Sequence, residues 1–276
     1  MDGLLRFARN RGALAGVVII AVIAGFALAA PLLFPRDPLR IVGPAELWPL
    51  ENSRFLLGTD SLGRDIAAII VHGARATLLV GIFACLAATT VGVAVGAVAG
   101  FYGGMLDRVG MFLTELFQTI PAMILVLSVV SVLGPSLTHI TIAVALASWT
   151  PVARLTRAEF LSLRNRDFVS ACRSIGMGPA RLIIGEILPN AMPPVIVLSS
   201  LIVAGAILFE SAVSFLGLGD PNTATWGRLI GEGRDLIRSS WYICAIPGIA
   251  IMFAVLALNL IGDGLNEALN PKLRDR

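Results

Sequence analysis

Arg154 to Asn190 reads RLTRAEFLSLRNRDFVSACRSIGMGPARLIIGEILPN, and it is the one long polar interruption in the second half of an otherwise apolar chain. Arg154, Arg157, Arg164, Arg166, Arg173 and Arg181 fall in it, with apolar runs on both sides. Such a segment is expected to be held at a membrane face. Within it, Asp167 to Ile175 has Phe168, Ala171, Cys172 and Ile175 at helical spacing, which predicts a short amphipathic helix. Gly176 supplies its stop. Pro179 suits the first turn of a second short helix running to about Ile187, because the N–H it lacks would be unpaired there anyway. The expectation is a helix-turn-helix that serves as a docking surface.

Composition sets the class around this stretch. Of 276 residues, 57% are hydrophobic and 14% charged, and the mean hydropathy is +0.86. A soluble domain carries about a quarter charged residues, so this is an integral membrane protein with several spans. The net charge of +3 reflects arginines that set topology rather than a nucleic-acid surface. Cys85, Cys172 and Cys244 are scattered and odd in number, and His72 and His139 are far apart. No disulfide framework, metal site or histidine-built catalytic site is expected.

The apolar runs predict six transmembrane helices with both termini on one side. Ala13 to Phe34 reaches spanning length and is read as an uncleaved first span. A signal peptide is the rival, since Leu28-Ala29-Ala30 resembles a cleavage site. Residues 36–75 form a polar connector in which Asp60 or Ser61 is expected to cap a short helix. Residues 76–276 hold the other five spans: Ala76 to Gly100, a third ending at Leu133 with a kink at Pro121, Leu137 to about Val152, Ala191 to Leu216, and Trp241 to Ile261. Gly92, Gly96 and Gly100 form a small-residue stripe suited to close helix packing. Residues 217–240 read as a glycine-rich polar loop, and residues from Gly262 on as a polar tail.

Placing the N-terminus in the cytoplasm puts Arg6, Arg9, Arg11, Arg108, the arginines of 154–190, Lys272, Arg274 and Arg276 on that side. They outnumber Arg36, Arg40, Arg54, Arg64, Arg75, Arg228, Arg234 and Arg238 on the other, as the positive-inside rule requires. The arginine-rich stretch is therefore expected to be cytoplasmic.

No phosphate-binding loop, nucleophile elbow, zinc motif or dinucleotide fingerprint is present, so the chain alone is expected to hydrolyse nothing. Glu115 and Glu210 are the two acids inside predicted spans and are candidates for the translocation path. Snorkelling or helix-packing roles stay equally open for them.

Ser170-Ala171-Cys172, Gly176 and then Leu188-Pro189 resemble the EAA signature of bacterial ABC importer permeases. Further patterns, in order, resemble the C-type subunit of the dipeptide/oligopeptide/nickel subfamily: Gly58-Thr59-Asp60 with Gly63-Arg64-Asp65, Gly73-Ala74-Arg75, Phe101-Tyr102-Gly103-Gly104, Ser214 to Gly219, Thr225-Trp226-Gly227, and Asn259 to Leu265. Ser170 replaces the signature's Glu, Cys172 its second Ala, and Glu186 an Ile. The loop after Gly219 is shorter than the subfamily's, which bears on the substrate more than on the fold.

The resemblance implies the type I importer permease fold, with a cytoplasmic coupling helix that docks into an ATP-hydrolysing subunit. Ser170, Ala171, Cys172, Arg173, Gly176, Arg181, Leu188 and Pro189 are the implied coupling residues. The implied partners are a homologous B-type permease subunit, two ATPase subunits that hold ATP and Mg, and an external solute-binding protein. This chain itself would bind no cofactor, and its place would be the bacterial inner membrane. The implied solute is a di- or oligopeptide, with nickel, a metal chelate or a glutathione-like compound as alternatives. The rival class is a self-contained secondary transporter or channel, and a second rival is a membrane anchor that only assembles other proteins.

Overall fold

The computed structural model describes residues 7–269, so Arg6, Lys272, Arg274 and Arg276 lie outside the described residues. The described residues are helical, with two isolated antiparallel bridges and no strand. Helix suits a lipid-crossing chain, because each backbone N–H and C=O is then paired within its own segment.

Helix α1 spans Arg11–Leu33, α2 Ile66–Tyr102, α3 Gly104–Gln118, α4 Ala122–Leu133 and α5 Leu137–Leu163. They are followed by α6, Asp167–Ser174, α7, Pro179–Phe215, α8, Trp226–Gly233, and α9, Tyr242–Leu269. Four of these (α1, α2, α7 and α9) are long and apolar enough to cross a membrane, and α3 with α4 make a fifth if taken as one bent span. The sixth expected span, α5, is 27 residues long but diluted by Thr138, His139, Thr141, Ser148 and Thr150.

The boundaries differ from expectation in physically instructive ways. Helix α2 starts ten residues before Ala76. Its cap is Asp65, whose carboxylate accepts from Ala67 N at 2.9 Å. Asp60, expected to be a cap, instead closes a turn by accepting from Leu62 N and Arg64 N. The third apolar run is not one kinked helix: α3 and α4 meet at 83° across Thr119-Ile120-Pro121. Helix α5 continues past Pro151 through the first third of the arginine-rich stretch, so that stretch is not a loop at its start. Residues 217–240 are not a simple loop either, since α8 and a short 3-10 turn, Arg234–Leu236, lie within them. Helix α9 runs eight residues beyond Ile261.

The bundle is organised on α2 and α5, which the small-residue stripe brings to backbone contact. A Cβ added at Gly92 would lie 2.7 Å from Trp149 O, one at Gly96 2.4 Å from Ala153 O, and one at Gly100 2.8 Å from Arg157 O. Helix α1 packs on α9 by the same means: a Cβ added at Gly16 would lie 2.6 Å from Ala257 O. Its N-cap Asn10 also donates to Glu267 at 2.6 Å.

Residues 34–65 fold as a cap over the ends of α2 and α9. Val42 N and Gly43 N both donate to Gly63 O, and Tyr242 Oη donates to Leu47 O at 2.8 Å. Beneath this cap lies a buried ion cluster. Arg64, 3% exposed, bonds Asp60 at 2.5 Å and also Glu232 of α8, which Arg228 engages in turn at 2.8 Å. Burial disfavours the Arg64 charge, but the bond to Glu232 and the field of Asp60 outweigh it and hold the guanidinium above its ordinary pKa. The cluster ties the cap to α8, which in turn seats Trp226 Nε1 on Ile70 O at 2.9 Å.

Candidate functional site: the short helix on the arginine-rich face

Helix α6 forms for local reasons. Asp167 sits in its first turn and Arg173 in its last, each sign matching the helix dipole. Its end is a complete Schellman motif: Gly176 N donates to Arg173 O at 2.9 Å and Met177 N to Cys172 O at 3.1 Å. Gly176 has φ +82°, while a Cβ there would meet nothing within 4 Å. Its requirement is therefore conformational and not steric. Pro179 begins α7 as the first helical residue.

The orientation of α6 differs from the expected face. Val169, not among the residues singled out by spacing, is fully buried among Ala97 of α2, Phe160 of α5, and Leu182, Ile187 and Ala191 of α7. Cys172 and Leu188 pack half-buried around the same cluster, with Phe101 and Leu163. Arg164 Nη1 donates to Gly100 O at 2.9 Å, and the Arg173 guanidinium lies 5.7 Å from the Phe101 ring centroid. The short helix is thus clamped by its Val169–Cys172 side to the ends of three long helices.

The opposite side is open. Phe168, Ser170, Ala171, Arg173, Gly176, Arg181 and Pro189 are exposed, and Ile175 is 79% exposed. Of the eight expected coupling residues, six are therefore on the surface, while Cys172 and Leu188 belong partly to the anchor. Phe168, Ala171 and Ile175 form a small apolar face left exposed among the described residues.

Pro189 does not start a span. It lies within the continuous helix α7, just after a π-helical turn, Leu182–Ile187, in which Leu188 N donates to Ile183 O. Proline has no N–H to bond the carbonyl four residues back, and its ring would crowd that carbonyl. The wider turn accommodates both.

The two intramembrane acids are not brought together. Glu115 is exposed on α3. Glu210 is fully buried near the other end of α7, where Ser214 Oγ donates to it at 2.8 Å, Thr77 Oγ1 at 3.3 Å and Ser211 Oγ at 3.5 Å. Those hydroxyls come from α2 and α7, so the carboxyl group joins helices and is closed off from any opening. Among the described residues no group of His, Cys, Asp or Glu is arranged to hold a metal ion.

Residues 92–275 match the family model described as binding-protein-dependent transport system inner membrane component. Residues 2–47 match the N-terminal TM domain of oligopeptide transport permease C. The chain is 40% identical over 275 residues to the di/tripeptide transport system permease protein DppC of Pseudomonas aeruginosa, covering 98% of this chain and 91% of that protein. It is 38% identical to the dipeptide transport system permease protein DppC of Haemophilus influenzae, covering 97% of this chain and 93% of that protein. It is 35% identical to the oligopeptide transport system permease protein OppC of the same organism, covering 99% and 88%. In fold it is similar to a chain of the MetNI methionine ABC transporter in an inward-facing conformation, with a TM-score of 0.60 and 17% identity over 73% of this chain and 96% of that one. With its clamped surface helix and these matches along nearly its whole length, the chain belongs to the inner-membrane permease family of binding-protein-dependent transport systems.

Proposed function

We propose that this chain is the C-type permease subunit of an ATP-driven importer for dipeptides or short oligopeptides. The observation that carries the reading is the geometry of α6. It is fixed on one side to α2, α5 and α7 and is bare on the other, so a partner that grips the bare side moves three spans as one body. The fold likeness, the family match and the peptide names of the relatives support it.

In this reading α1, α2, the α3–α4 pair, α5, α7 and α9 are six spans, with α6 and both termini cytoplasmic. A homologous permease subunit supplies the other half of the pathway. Two ATPase subunits hold ATP and Mg, and a solute-binding protein delivers the peptide from outside. ATP-driven closure of the ATPase pair pushes on α6, and the bundle switches between inward- and outward-facing packings. Ser170, Ala171, Cys172, Arg173, Gly176, Arg181, Leu188 and Pro189 form the coupling region. Glu115 remains the pathway candidate, and Glu210 is assigned to helix packing.

The test is Ile175→Asp in the reconstituted complex. Ile175 is 79% exposed among the described residues, so insertion and thermal stability are expected to match wild type. ATPase association and peptide uptake are expected to fall at least tenfold, since a charge is expensive in a desolvated contact. Uptake at wild-type rate with Ile175→Asp would remove α6 as the coupling element. Uptake by this chain without ATPase subunits would favour a self-contained transporter.

A further inference from the structure

We infer that the pocket where α1 leaves the membrane holds the phosphate of an anionic phospholipid. The pocket, of about 150 Å³, is framed by Leu33 and Phe34 at the end of α1 and by Phe55 of the cap. Arg36, Arg40 and Arg54 all line it. None of the three forms an ion pair among the described residues. Arg64, by contrast, is consumed in the buried cluster with Asp60 and Glu232.

These three arginines also stand on the side of the membrane where the charge rule disfavours them, so topology does not account for them. Two carboxylates line the same pocket, and both are engaged. Asp37 accepts from Leu39 N at 2.9 Å and Asp65 from Ala67 N at 2.9 Å. Even with both counted as full charges, the balance at the pocket is positive.

Size and surroundings select the occupant. A volume of this order takes a phosphoryl group and a few waters, and it is well below the range of pockets that enclose an organic solute. Guanidinium forks match phosphate oxygens bidentately. One side of the lining is apolar, with Leu33 and Phe34 at the end of α1, and Leu28 and Leu32 on the same helix are 81% and 85% exposed. A phosphate at the end of a span with hydrocarbon below it is a lipid headgroup, and basic pockets of this kind are a recognised means of holding one. The inference does not rest on which solute is transported.

The experiment uses the full-length chain purified in mild detergent, delipidated, and titrated with phosphatidylglycerol, phosphatidylcholine and inorganic phosphate. Wild type is expected to prefer phosphatidylglycerol to phosphatidylcholine, with millimolar inorganic phosphate failing to compete. Each arginine is expected to contribute about fivefold to that affinity. The combined Arg36→Gln, Arg40→Gln and Arg54→Gln variant should therefore lose more than tenfold, and Arg238→Gln, an exposed arginine elsewhere, nothing. Unchanged melting of the triple variant would tie its loss to the pocket. Arg40→Lys, which keeps the charge, is expected to retain part of the preference. Equal phosphatidylglycerol affinity in the triple variant and wild type would overturn the inference. So would displacement of the lipid by inorganic phosphate, which would make the site one for a free anion.

Discussion

Gly96→Ala and Gly25→Ala are the same chemical change in two lipid-embedded helices, and the structure gives them opposite signs. Alanine is the better helix former by about 1 kcal/mol, so a glycine in open space gains from the change. Gly25 on α1 is such a site, with nothing within 4 Å of its added Cβ. At Gly96 the added Cβ would lie 2.4 Å from Ala153 O, 2.7 Å from Thr156 Cβ and 3.0 Å from Arg157 N. Two of these three are backbone atoms of α5, which no rotamer change can move. Relief requires α2 and α5 to part by about 1 Å, and overpacking of that kind costs about 1–3 kcal/mol. Separation would also loosen Gly92 against Val152 and Gly100 against Phe160, since all three glycines share one seam. With the helix gain of about 1 kcal/mol set against the overpacking, and at about 2–4 °C per kcal/mol for a chain of this size, Gly96→Ala should melt up to about 8 °C lower and Gly25→Ala up to about 4 °C higher. Tryptophan fluorescence in detergent reads it directly, because Trp149 lies in the seam. If Gly96→Ala melts above wild type, the close approach of α2 and α5 is not what holds the bundle.

Gly176→Leu should insert normally but cost about 1–2 kcal/mol at its left-handed φ, and ATPase co-purification is the readout of the displaced α6. Arg64→Met leaves Asp60 buried without its cation and should cost about 3–5 kcal/mol, seen as a lowered denaturation midpoint that added salt does not restore. Arg157→Gln removes a half-exposed pair with Asp107 and should cost under about 1 kcal/mol, less in high salt. Glu210→Gln keeps an acceptor for the surrounding hydroxyls and should be tolerated, whereas Glu210→Leu strands Ser214 and Thr77 and should lower the melting point by several degrees.

The local chemistry of the surface helix was legible: Gly176 as its stop and Pro179 as the next start depend on backbone rules that act within a few residues. Its inward face was not. Spacing grouped Phe168, Ala171, Cys172 and Ile175 and left out Val169, whose burial is decided by Phe160, Leu182 and Ile187 on other helices. The start of α2 was missed because His72 and Arg75 read as connector, although Asp65 is an ordinary capping residue. The partnership of Arg64 with Glu232 spans 168 residues and leaves no local trace. The i,i+4 spacing of Asp60 and Arg64 was the one available hint. The break at Pro121 was foreseen as a kink, but its 83° angle is set by where the next helix packs, and the π turn before Pro189 left no trace in the local pattern.

The π turn at Leu182–Ile187 sets rotational phase. Successive residues of an α-helix are offset by about 100°, and a π turn absorbs one extra residue without breaking the rod. The membrane part of α7 can therefore present one angular orientation to its neighbours while Pro179–Arg181 presents another to α6. Drawing the same six residues into regular α-helix, with none removed, would swing the two ends by about 100° relative to each other. Every side chain of α7 would still be present, yet Leu182 could no longer meet Val169, and the surface helix would lose the azimuth from which it pulls on the bundle.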